Sequence, residues 1–120
     1  MTNIKRIGVA ARYCDIAIHD GTAYFSGYVP EESAGDAVAA QTTDILSQID
    51  MSLAEIGSDK SRVLHATIWL SDIASYEAMN EIWDAWIAPG HAPARGVETG
   101  RSGLRARNPH HRGGVSGRAL

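Results

Sequence analysis

Between Ser61 and Leu70 the chain alternates with bulk on both sides, and this feature restricts the possible folds most. Val63, His65, Thr67 and Trp69 share one face, while Leu64, Ala66, Ile68 and Leu70 share the other. A strand apolar on both faces belongs inside a sheet, with cover on each side. The segments around it supply part of that cover. Val38, Thr42, Ile45, Ile49, Leu53 and Ile56 recur at spacings of 4, 3, 4, 4 and 3, which predicts a helix with Asp36 as N-cap and Gly57 as its stop. A second helix follows the strand, with Tyr76, Met79, Trp83 and Trp86 in its stripe. Asp72 or Ser75 caps it, and Pro89-Gly90 ends it. Two helices cover one face of a sheet of this size. The other face meets solvent or further subunits, and Trp69 argues for subunits.

The N-terminal part reads as β structure. Ile4, Arg6 and Gly8 alternate with Lys5, Ile7 and Val9, and Cys14 to His19 alternates again (Cys-Asp-Ile-Ala-Ile-His). Asp20-Gly21 then predicts a two-residue hairpin turn, because a type I′ turn needs positive φ at both central positions. Thr22 to Ser26 is the returning strand, and residues 28–36, with Pro30 and Gly35, read as a loop. The order so far is ββ-α-β-α.

Past Arg95 the periodicity collapses. Six of the 12 glycines lie between Gly96 and Gly117, among Arg101, Arg105, Arg107, Arg112 and Arg118. Residues 1–94 hold 13 acids and 5 bases, whereas residues 95–120 hold 1 acid and 6 bases. Residues 101–120 are expected to be irregular and to leave the last sheet position open. With 120 residues, the chain is expected to form one domain, 1–99 as its body and 100–120 as an Arg/Gly-rich tail.

Composition excludes several classes. Hydrophobic residues make up 44% and charged residues 21%, which separates the chain from disordered sequences. No apolar run is long enough to span a bilayer, and the N-terminus has no signal-peptide pattern, so a cytoplasmic location is expected. The single Cys14 excludes an intrachain disulfide and a cysteine-based zinc site, and reads as a packing residue. His19, His65, His91, His110 and His111 show no metal-ligand spacing, so no metal and no cofactor are expected. No phosphate-binding glycine motif occurs. The arginine-rich tail could neutralise phosphates, but no aromatic residue interleaves with it and the body is acidic, so nucleic acid is not the expected partner. Trp83 and Trp86 read as core. Arg95 follows Ala92-Pro93-Ala94, where a strand would start, and either makes a structural ion pair or offers a two-donor fork to a carboxylate.

A series of motifs then points further. Gly21-Thr-Ala-Tyr-Phe-Ser26-Gly27, Gln41-Thr42, Gly57-Ser-Asp-Lys60, Ala66-Thr-Ile-Trp-Leu-Ser-Asp72, Met79-Asn80 and Ala92-Pro-Ala-Arg95 occur in this order. The succession resembles the RidA/YjgF family, which also bears the label endoribonuclease L-PSP. Asn80-Glu-Ile-Trp-Asp-Ala-Trp86 with Gly90-His-Ala-Pro-Ala-Arg95 resembles its YoaB-like branch, and the resemblance covers residues 3–99. It implies a chorismate-mutase-like α/β fold: a mixed sheet with two helices on one face, in the order ββ(β)-α-β-α-β(-β) with the last strand in question in this chain, and a homotrimer with clefts between subunits. The activity it implies is hydrolysis of reactive enamines or imines, of the 2-aminoacrylate type, to 2-oxo acids and ammonia. By the same resemblance, Arg95 and Ser26 are the catalytic residues, Arg95 also gripping the substrate carboxylate and Ser26 lining the cleft, while Tyr13 and Asn80 are further substrate-binding residues. The alternatives are a non-catalytic trimer that binds a small carboxylate metabolite, and an endoribonuclease or translation inhibitor.

Two departures stand out. The family's deaminases carry a glutamate about fifteen residues past the arginine, where this chain has His110. Gly96-Val97 also replaces the family's cysteine-containing stretch. The codons for Asn108-Pro-His-His-Arg-Gly-Gly-Val115, read one base later, permit Ile-His-Ile-Thr-Ala-Ala-Val. That is a β pattern with the family's ending. Either a shifted frame begins between Arg95 and Asn108, or the tail is divergent as written.

Overall fold

The apolar stripes become two helices, α1 (Val38–Glu55) and α2 (Tyr76–Trp86), in a computed structural model that describes residues 3–99 and the backbone of residues 113–119. Six strands accompany them: β1 (Lys5–Val9), β2 (Cys14–His19), β3 (Thr22–Tyr28), β4 (Val63–Leu70), β5 (Ala94–Thr99) and β6 (Gly113–Ala119). They form one mixed sheet in the order β1-β2-β3-β6-β4-β5. Only β4 and β5 run parallel, which the α2 crossover between them permits. The remaining neighbours are antiparallel.

The hairpin forms as its turn residues predict. His19 pairs with Thr22, and Asp20 and Gly21 carry φ of 52° and 78°. α1 ends at Gly57, whose φ is 75°. There the Gly57 N–H bonds to the Ala54 carbonyl and the Ser58 N–H to that of Leu53, the paired closure that a left-handed residue allows. Its start differs from the expectation. Ala37 occupies the N-cap with no side-chain bond, because Asp36 lies one residue too early for its carboxylate to reach the first turn. Instead the Asp36 carbonyl accepts the Gln41 side-chain amide at 2.6 Å. At the other helix Asp72 caps a short 3₁₀ turn, accepting the Ala74 N–H at 2.9 Å, and that turn leads into α2.

Ile45, Leu46, Ile49 and Leu53 of α1 meet Met79 and Trp83 of α2 over Ala66, Ile68 and Leu70 of β4. The core therefore lies between the helix pair and one sheet face. His65, Thr67 and Trp69 point from β4 to the opposite face and are half-buried without helical cover.

The C-terminal expectation needs correction. β5 takes the strand position expected after α2, whereas β6 fills the position between β3 and β4 that the tail was expected to leave open. Glycine-rich sequence offers little side-chain signal for a strand. Two flanking strands, however, present unpaired backbone groups on both sides, and the main chain alone can satisfy them. Phe25 pairs with Gly117 on one side, and Ala66 pairs with Gly117 on the other. Asn108 to Arg112, most of the alternative-frame strand, lie outside the described residues, as do Arg101, Arg105, Arg107, His110 and His111. No helix among the described residues is long and apolar enough to cross a membrane.

Candidate functional site

Arg95 is the second residue of β5, placed there after the Pro93 turn. Its register opposite Ala66, a core residue, directs the side chain to the helix-covered face and beneath α2. On α2, Tyr76, Asn80 and Trp83 follow at i, i+4 and i+7, one stripe of the helix. The three converge on the guanidinium. Nη1 donates to Asn80 Oδ1 at 2.8 Å, and Nη2 lies 3.4 Å from the Tyr76 hydroxyl oxygen as a weak donor. The Trp83 ring centroid lies 5.2 Å from the guanidinium carbon, within cation–π range.

The rings behind are also fixed. Trp83 and Trp86 approach to 5.4 Å between centroids, and the Trp86 indole N–H donates to Asp50 at 3.0 Å. The Lys60 ammonium lies 5.5 Å from the Trp86 ring centroid. Trp83 is buried as expected, whereas Trp86 is only half-buried and joins this polar edge. Of the two alternatives open for Arg95, the structural ion pair is absent among the described residues. The one such pairing among the described residues is His19 Nε2 with Asp20 Oδ2 at 3.9 Å, which is an ion pair only when the imidazole is protonated.

Tyr13 and Ser26 belong to a second place, a cleft of about 630 Å³. Asp15, Glu31, Gln48 and Glu55 line it with them. Gly8 in its wall has φ of 69°, and a Cβ there would collide with the Asp15 side chain, so the close approach requires glycine. Burial pushes the Tyr28 phenol up from its ordinary pKa. A hydrogen bond with Ser52 opposes that shift, and Asp15 and Glu55 add to it.

The four residues singled out in the sequence thus fall into two pairs, Arg95 with Asn80 and Tyr13 with Ser26. Within one chain β6 and β4 stand between β3 and β5. Three strand spacings amount to about 14 Å, too far for one small molecule to touch both Ser26 and Arg95. Sequence reasoning missed Tyr76 and Trp83 as neighbours of Arg95, although their spacing from Asn80 was visible. It also missed the cleft carboxylates, which come from separate elements and share no local pattern. No group of His, Cys, Asp or Glu that could hold a metal occurs among the described residues.

Comparison with known proteins agrees with this architecture. The family model described as Endoribonuclease L-PSP matches residues 3–99. The chain belongs to that family. Within the L-PSP family it is similar to the RutC family protein YoaB of Escherichia coli, 49% identical over 92 residues, which are 77% of this chain and 79% of YoaB. A solved structure of a YjgF family member from Neisseria meningitidis is 40% identical and superposes with a TM-score of 0.88, covering 98% of this chain and 94% of that one. A more distant relative is the chloroplastic Reactive Intermediate Deaminase A of Arabidopsis thaliana. It is 34% identical over 71 residues, 58% of this chain and 37% of the plant protein.

Proposed function

We propose that the protein hydrolyses small carboxylated enamines or imines, of the 2-aminoacrylate type, to 2-oxo acids and ammonia, as a cytoplasmic homotrimer. The observation that carries this reading is Arg95, a half-buried guanidinium whose described partners are all uncharged. Such a group attracts a carboxylate and holds it in plane through two parallel donors. The helix-free face with Trp69 supports association, because it exposes apolar surface that two helices cannot cover. In the trimer Arg95 of one subunit would face the Tyr13–Ser26 cleft of its neighbour, which joins the two half-sites.

The chemistry asks little beyond orientation. With the carboxylate fixed, water adds to C2 of the imine, its oxygen bonding to carbon as a proton passes to nitrogen. The carbinolamine then collapses: the hydroxyl proton passes to nitrogen, C=O forms, and the C–N bond breaks to release ammonia. Positioning of this kind contributes several kcal/mol by itself. In this reading Tyr13 and Ser26 would supply the hydroxyl groups that orient the water; they line the cleft together with the carboxylates of Asp15, Glu31 and Glu55.

A second reading, carboxylate binding without turnover, draws on His110 standing where the family's deaminases carry glutamate. Ribonuclease activity is not proposed. The 13 acids against 5 bases in residues 1–94 would repel a polyanion. Freshly generated 2-aminoacrylate separates the two readings. Accelerated pyruvate release that Arg95→Ala abolishes supports the deaminase; pyruvate binding with no acceleration supports the binder.

A further inference from the structure

We propose that Tyr76, Asn80 and Trp83 form a charge-neutral socket that fixes the Arg95 guanidinium while leaving its positive charge available, so that Asn80 is a positioning residue and not a substrate ligand. This inference rests on the carboxylate-binding reading of Arg95 and revises the role of Asn80 within it.

The geometry is specific. One terminal nitrogen donates to Asn80 Oδ1 at 2.8 Å, the other faces the Tyr76 hydroxyl at 3.4 Å, and the Trp83 ring lies 5.2 Å from the guanidinium carbon. An amide oxygen, a phenol and a π-face are three acceptors without formal charge. An amide oxygen already engaged by Arg95 also has less capacity left for a substrate.

The neutrality is notable because acids are close in sequence. Glu77, Glu81 and Asp84 share α2 with the socket, and Glu98 shares β5 with Arg95. All four are exposed, and none lies within ion-pair distance of Arg95. A carboxylate at position 80 would reach the guanidinium as well as the amide does. It would then neutralise the charge and occupy the fork that a ligand needs. Trp83 adds rigidity, since the ring is buried and backed by Trp86, which Asp50 and Lys60 hold from the far side.

The test uses pyruvate as the probe in calorimetry, together with 2-aminoacrylate hydrolysis, on the full chain. Asn80→Asp is expected to lower pyruvate affinity about tenfold or more, the effect of losing a charged two-donor contact. Its Tm should match or exceed that of the unmodified protein, because the new pair is internal and half-buried. Asn80→Ala should lower affinity only about three- to fivefold, through loss of one neutral hydrogen bond. Asn80→Asp should also raise KM with kcat little changed, since the carbon–nitrogen chemistry lies away from the socket. Equal affinity in Asn80→Asp and the unmodified protein overturns the socket, as does a greater loss in Asn80→Ala than in Asn80→Asp. If Arg95→Ala binds pyruvate normally, the carboxylate reading falls and the socket with it. If Arg95→Ala fails to bind while Asn80→Asp binds normally, the socket alone falls.

Discussion

Replacing Asp44 by alanine should release the loop that precedes α1. The Oδ2 oxygen accepts the N–H groups of Glu31, Glu32 and Ser33 at 2.9, 3.1 and 3.1 Å, and the Ser33 hydroxyl at 2.8 Å. The Gln48 amide donates to Oδ1 at 3.0 Å. The Gln48 and Ser33 side-chain bonds, with the backbone donors, hold the carboxyl far below the usual carboxylate range. Glu31 and Glu32 are exposed, so their N–H groups would recover water, whereas Ser33 is buried at 8% exposure. Counting the two Ser33 bonds at about 1 kcal/mol each and the exposed ones at a few tenths gives a loss of about 2–3 kcal/mol. For a chain of this size that corresponds to a fall in Tm of roughly 8–12 °C. Thermal unfolding followed by circular dichroism measures it.

The pH dependence supplies a second check. A depressed folded pKa stabilises above the unfolded value near 3.8 and is lost as pH falls through the folded one. The Tm gap between Asp44→Ala and the unmodified protein should therefore stay constant from about pH 5 to 8 and narrow below about pH 4. A gap below about 2 °C at neutral pH would refute the latch, and so would a gap unchanged down to about pH 3.

Gly8→Ala should cost about 1–2 kcal/mol from its positive φ alone, with more from the Asp15 contact, and should show as a lower urea midpoint. An unchanged midpoint would mean that the Asp15 side chain moves aside freely. Hydrogen exchange should show protection across Gly113–Ala119, whose backbone pairs with β3 and β4; rapid exchange there would refute the ladder. Light scattering should give three times the chain mass, and a stable monomer would refute the trimer.

The local elements of this fold were legible for local reasons. The α1 stripe, the left-handed stop at Gly57 and the Asp20-Gly21 turn each express a preference within a few residues. β6 was not legible, because its stability comes from lying between two ladders and not from its own side chains. The candidate site divides in the same way. Arg95 and Asn80 could each be named from the sequence, but their contact depends on the α2 crossover over β4 and β5. The cleft around Tyr13 and Ser26 takes walls from β1 and α1, remote in the chain, and the Asp44 latch spans 11 to 13 residues.

The placement of β6 has a consequence for how the molecule is made. Synthesis delivers β1, β2 and β3 first, then β4 and β5, and the strand that must join those two groups emerges after all of them. Until Gly113–Ala119 leaves the ribosome, β3 and β4 each carry an open edge beside an otherwise assembled core. Closure waits for the pairing of β6 with segments far earlier in the chain, a contact of long loop length and slow formation. A nascent chain stalled before β6 is therefore the form most exposed to pairing with a stranger's strand.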